Sequence, residues 1–126
     1  RQFRLLKAAT PGSYTFILQA TREVPRRLQH PKRATIGLRV PQHRVAQALL
    51  EELGEPILSA TLQLPGDELP LNDPEEIRER LEKQVGLIMD AGSCGVMPST
   101  VIDLSGEFPK VLRKGLGDLA VFGLEH

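Results

Sequence analysis

The stretch Ile57–Gly66, I-L-S-A-T-L-Q-L-P-G, constrains the chain most. Its period is two: Leu58, Ala60, Leu62 and Leu64 fall on one side, Ser59, Thr61 and Gln63 on the other. That is the pattern of a strand with one dry and one polar face, and a strand demands a sheet to pair with. An ordinary solvent face would carry Lys, Glu and Arg. Here two short hydroxyls and an amide precede Pro65-Gly66. Uncharged hydrogen-bonding groups running into a glycine turn suit a bound polar ligand. A Ser/Thr-rich strand without a ligand has the same pattern.

The remaining segments supply the sheet. Ser13–Ala20 reads as a central strand, apolar on both sides. Thr35–Pro41 reads as another, with Ile36, Leu38 and Val40 toward the core and Arg39 on the opposite face beside Gly37. An arginine in mid-strand is costly to bury unpaired, so Arg39 is expected to meet an anion, and a ligand contact is preferred to a salt bridge. Gly86–Ala91, Ser99–Leu104 and Phe108–Arg113 read as further short strands. Arg1–Ala9 looks like a helix tail and His43–Leu53 like a helix stopped by Gly54 and Pro56. Asp73-Pro74-Glu75-Glu76 is a helix start, with Asp73 as cap, Glu76 at N3 and a stripe of Ile77, Leu81 and Val85. Strands interleaved with capped helices predict an α/β fold, a twisted mixed sheet with helices packed against it.

With 126 residues the chain is long enough for one core. Cys94 is its single cysteine, which excludes an intrachain disulfide, argues against a Cys-built zinc site and makes a reducing cytoplasm the default location. Cys94 would need a neighbouring base or cation to be reactive, and the three histidines show no metal spacing. No apolar run reaches membrane-spanning length. Formal net charge is zero, yet residues 1–50 hold ten basic residues and one acid, and the rest hold six basic and fifteen acidic. Four of those cations, Arg26, Arg27, Lys32 and Arg33, crowd the Pro-broken connection Thr21–Ala34, where guanidinium groups suit phosphate. A solvated loop, or mutual neutralisation of the two halves, accounts for the same charges. The G-x-G at Gly115 and Gly117 is too short a signal for a nucleotide loop.

Four stretches in order resemble the YrdC/YciO family, nearer its YciO branch: Pro11–Phe16 (P-G-S-Y-T-F), Thr35–Pro41 (T-I-G-L-R-V-P), His43–Gly66 (ending G-E-P-I-L-S-A-T-L-Q-L-P-G), and Ser99–Leu104 with Val111–Gly115 (S-T-V-I-D-L, then V-L-R-K-G). The resemblance implies a YrdC-like sheet with a basic cavity. It also implies a part in making threonylcarbamoyl-adenylate from ATP, L-threonine and bicarbonate for modification of a tRNA adenosine, with ATP as a substrate that Mg can accompany and no tightly bound cofactor. Family members are also associated with double-stranded RNA. By position, Ser59, Thr61 and Gln63 match a family strand that reads S-T-S-A-N, with Gln63 lengthening an asparagine and Leu62 replacing a small residue. Arg39 matches the arginine of the substrate cavity, and Ser99 and Arg113 match the pair near the nucleotide. The family's P-T-D-T-x-Y-G-L-G turn and its K-x-R segment precede the part matched. Residues 1–123 are therefore expected to be the larger C-terminal part of such a domain, weak in adenylate formation alone, and 124–126 to be a tag remnant. No nucleophile or acid–base pair is visible, so catalytic residues stay unknown. A non-catalytic RNA-binding module and a domain of a larger carbamoyltransferase are the alternatives.

Overall fold

Aromatic and branched residues at alternate positions of Tyr14–Gln19 (β1) make it the strand on which the sheet is built. In this computed structural model, which describes residues 2–93, 95 and 97–124, β1 pairs antiparallel with Thr35–Leu38 (β2) and parallel with Thr100–Asp103 (β3). Lys110–Arg113 (β4) closes the other side antiparallel to β3, giving the order β2-β1-β3-β4. The helices are α1 (Gln2–Ala9), α2 (Arg44–Leu53) and α3 (Pro74–Leu81). The chain divides into two units, residues 1–47 with 98–126 and residues 48–97. All four strands lie in the first.

One face of the sheet is the core. Register puts Phe16 beside both Leu38 and Ile102, and Tyr14 beside Thr100. Phe16, Ile102, Leu104 and Thr100 are fully buried. Leu6 of α1, Leu18 and Phe122 pack against this cluster. Phe122 sits on a 3-10 turn, Leu119–Phe122, and meets Tyr14 and Phe16 edge-on, with ring centroids 5.4 and 5.6 Å away. Such aromatic contacts add about 0.5–1.5 kcal/mol each beyond area burial. Asp118 caps the turn, and Gly123, at φ 70°, ends it in the left-handed conformation with the Leu124 N–H on the Leu119 carbonyl. Glu125 and His126 lie outside the described residues, as does Cys94.

In the second unit the expected strand Ile57–Gly66 does not form, nor does Gly86–Ala91. The stretch makes local bonds instead, Gln63 N–H to the Thr61 carbonyl and Asp67 N–H to that of Leu64, and it receives one from the Leu71 amide at Leu62. Leu58, assigned to the dry face, is 84% exposed, and Ala60 is exposed too. A period of two specifies faces but supplies no partner, and among the described residues none pairs with this stretch. The helix starts match expectation better. Asp73 Oδ1 accepts the Glu75 N–H at 3.1 Å with Pro74 in the first turn. α3 ends at Leu81, so Val85 lies beyond it and is exposed. His43 Nδ1 accepts the Ala46 N–H at the start of α2, and Gly54 at φ 69° ends that helix.

Candidate functional site

The face of the sheet opposite the core carries Thr15, Ile17, Gly37, Val101 and Asp103 by alternation. What brings Arg113 onto it is an irregularity. Asp103 faces Lys110 and Ile102 faces Val111, but Val101 faces Arg113, so Leu112 is an extra residue in β4. An unbroken ladder would set Arg113 opposite Thr100, whose side chain is in the core. The bulge moves it one step, opposite Val101 and away from the core. Arg39 directly follows β2; one further step of the β1–β2 register would set it opposite Thr15, while the Gly12 N–H on the Val40 carbonyl at 2.9 Å is two residues out of that register.

The paired row that crosses the sheet is Thr15, Val101, Arg113, and Arg39 follows β2 one residue beyond its ladder. Ser99 sits just before β3 and ties the row together. The Arg113 Nε–H donates to the Ser99 carbonyl at 3.0 Å and Nη2–H to Ser99 Oγ at 3.2 Å. Ser99 Oγ is also 2.7 Å from Thr15 Oγ1. Gly37, paired with Ile17 on β2 and diagonal to Thr15, has no side chain, and a Cβ there would stand 3.6 Å from Thr15 Cγ2.

The geometry of Ser99 and Arg113 is held from below. Thr100 is wholly buried, donates its hydroxyl to the Gly117 carbonyl at 2.8 Å and accepts the Gly115 N–H at 2.9 Å. The Leu116 N–H reaches the Pro98 carbonyl at 3.0 Å. A side chain at Gly115 would collide with the carbonyls of Pro98 and Ser99, and one at Gly117 with the Tyr14 ring. The G-x-G thus serves close backbone packing beside the site.

Of the residues expected from sequence, Ser99 and Arg113 are in direct contact, and Arg39 is exposed one residue past the β2 ladder. Ser59, Thr61 and Gln63 belong to the second unit and are exposed on the unpaired stretch, where the Gln63 amide donates to the Asp67 carbonyl at 3.0 Å. Arg26 and Arg27 are exposed on a 3-10 turn, Lys32 and Arg33 on the loop after it. His30 Nδ1 accepts the N–H groups of Lys32 and Arg33. Thr15 was missed. Its place on β1 was legible, but its contact with Ser99 spans 84 positions and has no local signal.

Electrostatics on this face are mixed. Asp103 has its carboxyl held below the usual range, first by the Ser105 hydroxyl and then, against some burial, by the Ser105 N–H, Arg33 and Lys110. Burial, aided by Asp118, pushes the Tyr14 hydroxyl up, and that hydroxyl donates to the Asp118 carbonyl at 2.7 Å. In the second unit a shallow cavity of about 250 Å³ is lined by Asp67–Asn72, Glu76 and Arg80, with Arg80 on Asp67 at 3.0 Å. It contains none of the expected site residues. Among the described residues no group of three or more His, Cys, Asp or Glu could hold a metal ion, and no helix is long and apolar enough to cross a membrane.

Residues 1–115 match the Sua5/YciO/YrdC family model, described as telomere recombination. Over 120 residues the chain is 60% identical to YciO of Escherichia coli, covering 95% of this chain and 58% of that protein. The E. coli YciO crystal structure superposes with a TM-score of 0.87 over the same shares. At 30% identity over 112 residues the chain is similar to the threonylcarbamoyl-AMP synthase of Bacillus subtilis, covering 88% of this chain and 32% of that one. The crystal structure of P. abyssi Sua5 complexed with L-threonine matches with a TM-score of 0.78 and 29% identity, over 90% of this chain and 33% of that one. The chain spans a little over half the length of its YciO relative, and about a third of the synthase. With the family model matched along nearly its whole length, the chain belongs to the Sua5/YciO/YrdC family.

Proposed function

We propose that this chain contributes a nucleotide- and amino-acid-binding surface to an enzyme that forms threonylcarbamoyl-adenylate. The observation that carries this reading is the row Thr15–Val101–Arg113 with Ser99 bound to its arginine end, and Arg39 follows β2 one residue beyond the paired ladder. A cation adjoins two hydroxyl groups there. A guanidinium has five N–H donors, and two from Arg113 are committed to Ser99, which leaves three for phosphate oxygens. The threonylcarbamoyl-AMP synthase of Bacillus subtilis and the L-threonine complex of P. abyssi Sua5, both similar to this chain, support the chemistry. The threonine amine takes up bicarbonate carbon as a carbamate, with loss of water. The carbamate oxygen then attacks the α-phosphorus of ATP, and pyrophosphate leaves. Such a reaction needs aligned reactants and neutralised phosphate charge more than protein acid–base groups. ATP, with Mg²⁺ as counter-ion, is a substrate, and no resident cofactor belongs to this reading. Ser59, Thr61 and Gln63, in the second unit, are candidates by resemblance alone, and a cytoplasmic location goes with this reading.

The test is pyrophosphate release from ATP that depends on threonine and bicarbonate. Arg113→Ala should lower it about 10²–10³-fold, the usual cost of one preorganised charge contact. Equal rates in parent and variant sink the reading. Running this chain against a longer protein that carries it measures what the chain supplies alone, and equal rates there would make it self-sufficient.

A second reading, RNA binding, rests on the exposed cations Arg26, Arg27, Lys32 and Arg33. Four phosphate contacts give a log-log salt slope of roughly −3 to −4 on a duplex. A variant neutral at all four positions that binds duplex RNA as well as the parent removes this reading.

A further inference from the structure

We infer that Thr15 is itself a ligand-contacting group of this site, the outer end of a directed chain of hydrogen bonds that begins at the Arg113 guanidinium. The inference rests on the nucleotide reading above and adds a residue to it. Arginine only donates, so Ser99 Oγ must accept from Nη2 at 3.2 Å. Accepting from a cation polarises the Ser99 O–H and makes it a better donor. Thr15 Oγ1, at 2.7 Å, is the acceptor in reach of that proton, and Ser99 is 8% exposed. Either hydroxyl could donate across that contact, and with the polarised Ser99 O–H as donor the order is Arg113 to Ser99 to Thr15. Thr15 keeps its own proton, and that proton has to leave the chain away from Ser99.

What lies around Thr15 fits such an exit. Thr15 is half-buried, and Gly37, paired with Ile17 on β2 and diagonal to Thr15, sets no side chain against its methyl group. Its neighbour on β3, Val101, offers no acceptor in its side chain. Arg39, one residue past the β2 ladder, is a cation, which also accepts nothing. An oxygen of a bound ligand is therefore the acceptor this arrangement lacks. With the Arg113 cation at the head of the chain, that oxygen should be anionic, a carboxylate or phosphate oxygen.

The test uses the protein as it occurs, with ATP and L-threonine as separate probes in calorimetric titrations of parent, Thr15→Val and Thr15→Ser. Val keeps the shape and removes the donor, and Ser keeps the donor. Thr15→Val should bind one of the two probes ~10- to 100-fold more weakly, the usual cost of losing a hydrogen bond to a charged group, and Thr15→Ser should stay within about threefold of the parent. Thr15→Val binding both probes as tightly as the parent overturns the inference. If the parent binds neither probe, the nucleotide reading falls. The direction of the chain is then decided without a ligand or a variant, by neutron diffraction on deuterated crystals. Deuterium on Thr15 Oγ1 pointing away from Ser99 supports the inference, and deuterium pointing at Ser99 overturns it.

Discussion

Tyr14–Gln19 and Ile57–Gly66 both read as strands from sequence and have opposite fates. The first is apolar on both sides, and the second alternates apolar residues with Ser59, Thr61 and Gln63. The first pairs on both edges, with β2 and β3, and buries Phe16 to 1% exposure. The second has no ladder among the described residues and leaves Leu58 at 84%. Periodicity allots residues to faces, but a strand exists through its partners. β1 also carries two aromatic rings, which stack 5.5 Å apart and meet a third, Phe122, from the 3-10 turn near the C-terminus. Ile57–Gly66 carries no aromatic residue and has no such anchor.

The sharpest way to break this comparison is to truncate one apolar residue in each stretch. Phe16→Ala should cost about 3–5 kcal/mol, because it empties a filled site in the core. Leu58→Ala should stay within about 0.5 kcal/mol, as surface substitutions do. Urea denaturation of both variants measures the difference, and comparable losses would mean the second stretch is packed after all.

A smaller effect tests what fastens the β1–β3 region to the site. Thr100→Val keeps the buried shape but strands the Gly115 N–H and the Gly117 carbonyl, at about 1–3 kcal/mol. Thr100→Ser should recover most of it. Thermal melts of the two variants decide, and a Val variant as stable as the parent would show that the hydroxyl does not hold the turn.

The smallest effect concerns pH. Asp103 has a depressed folded-state pKa, first because of the Ser105 hydroxyl. Its contribution is fully present above the unfolded carboxylate value of about 3.9 and is lost as pH falls through the lower folded value. Asp103→Asn should therefore be less stable than the parent by about 1 kcal/mol at neutral pH, and the gap should close in acid. A gap that persists unchanged to pH 2 would mean the loss is not electrostatic. No counterpart of this effect is expected in the stretch 57–66, which has no ionisable residue.

Much of the fold was legible. The β1 pattern, the Asp73 cap, the Gly54 stop and the ordered motifs each depend on residues within a turn or two of one another, where side-chain type acts directly on the backbone. Two members of the expected site, Ser99 and Arg113, do touch, although they were named on resemblance and not on spacing. Thr15 went unread because its partner lies across a parallel pairing.

By itself the sequence determined the α/β class, the family, the helix starts and the separation of basic from acidic halves. All of these are written in local chemistry and in composition. Tertiary structure alone decided which alternating stretches became strands, since that turns on finding a partner at a distance. It decided that Leu112 is extra, and so that Arg113 leaves the core face for the face of Thr15. It also decided that Thr15, Ser99 and Arg113 form one hydrogen-bonded chain. Register is a relation between strands far apart in sequence, and one residue of slip exchanges the two faces, so neither strand encodes it alone.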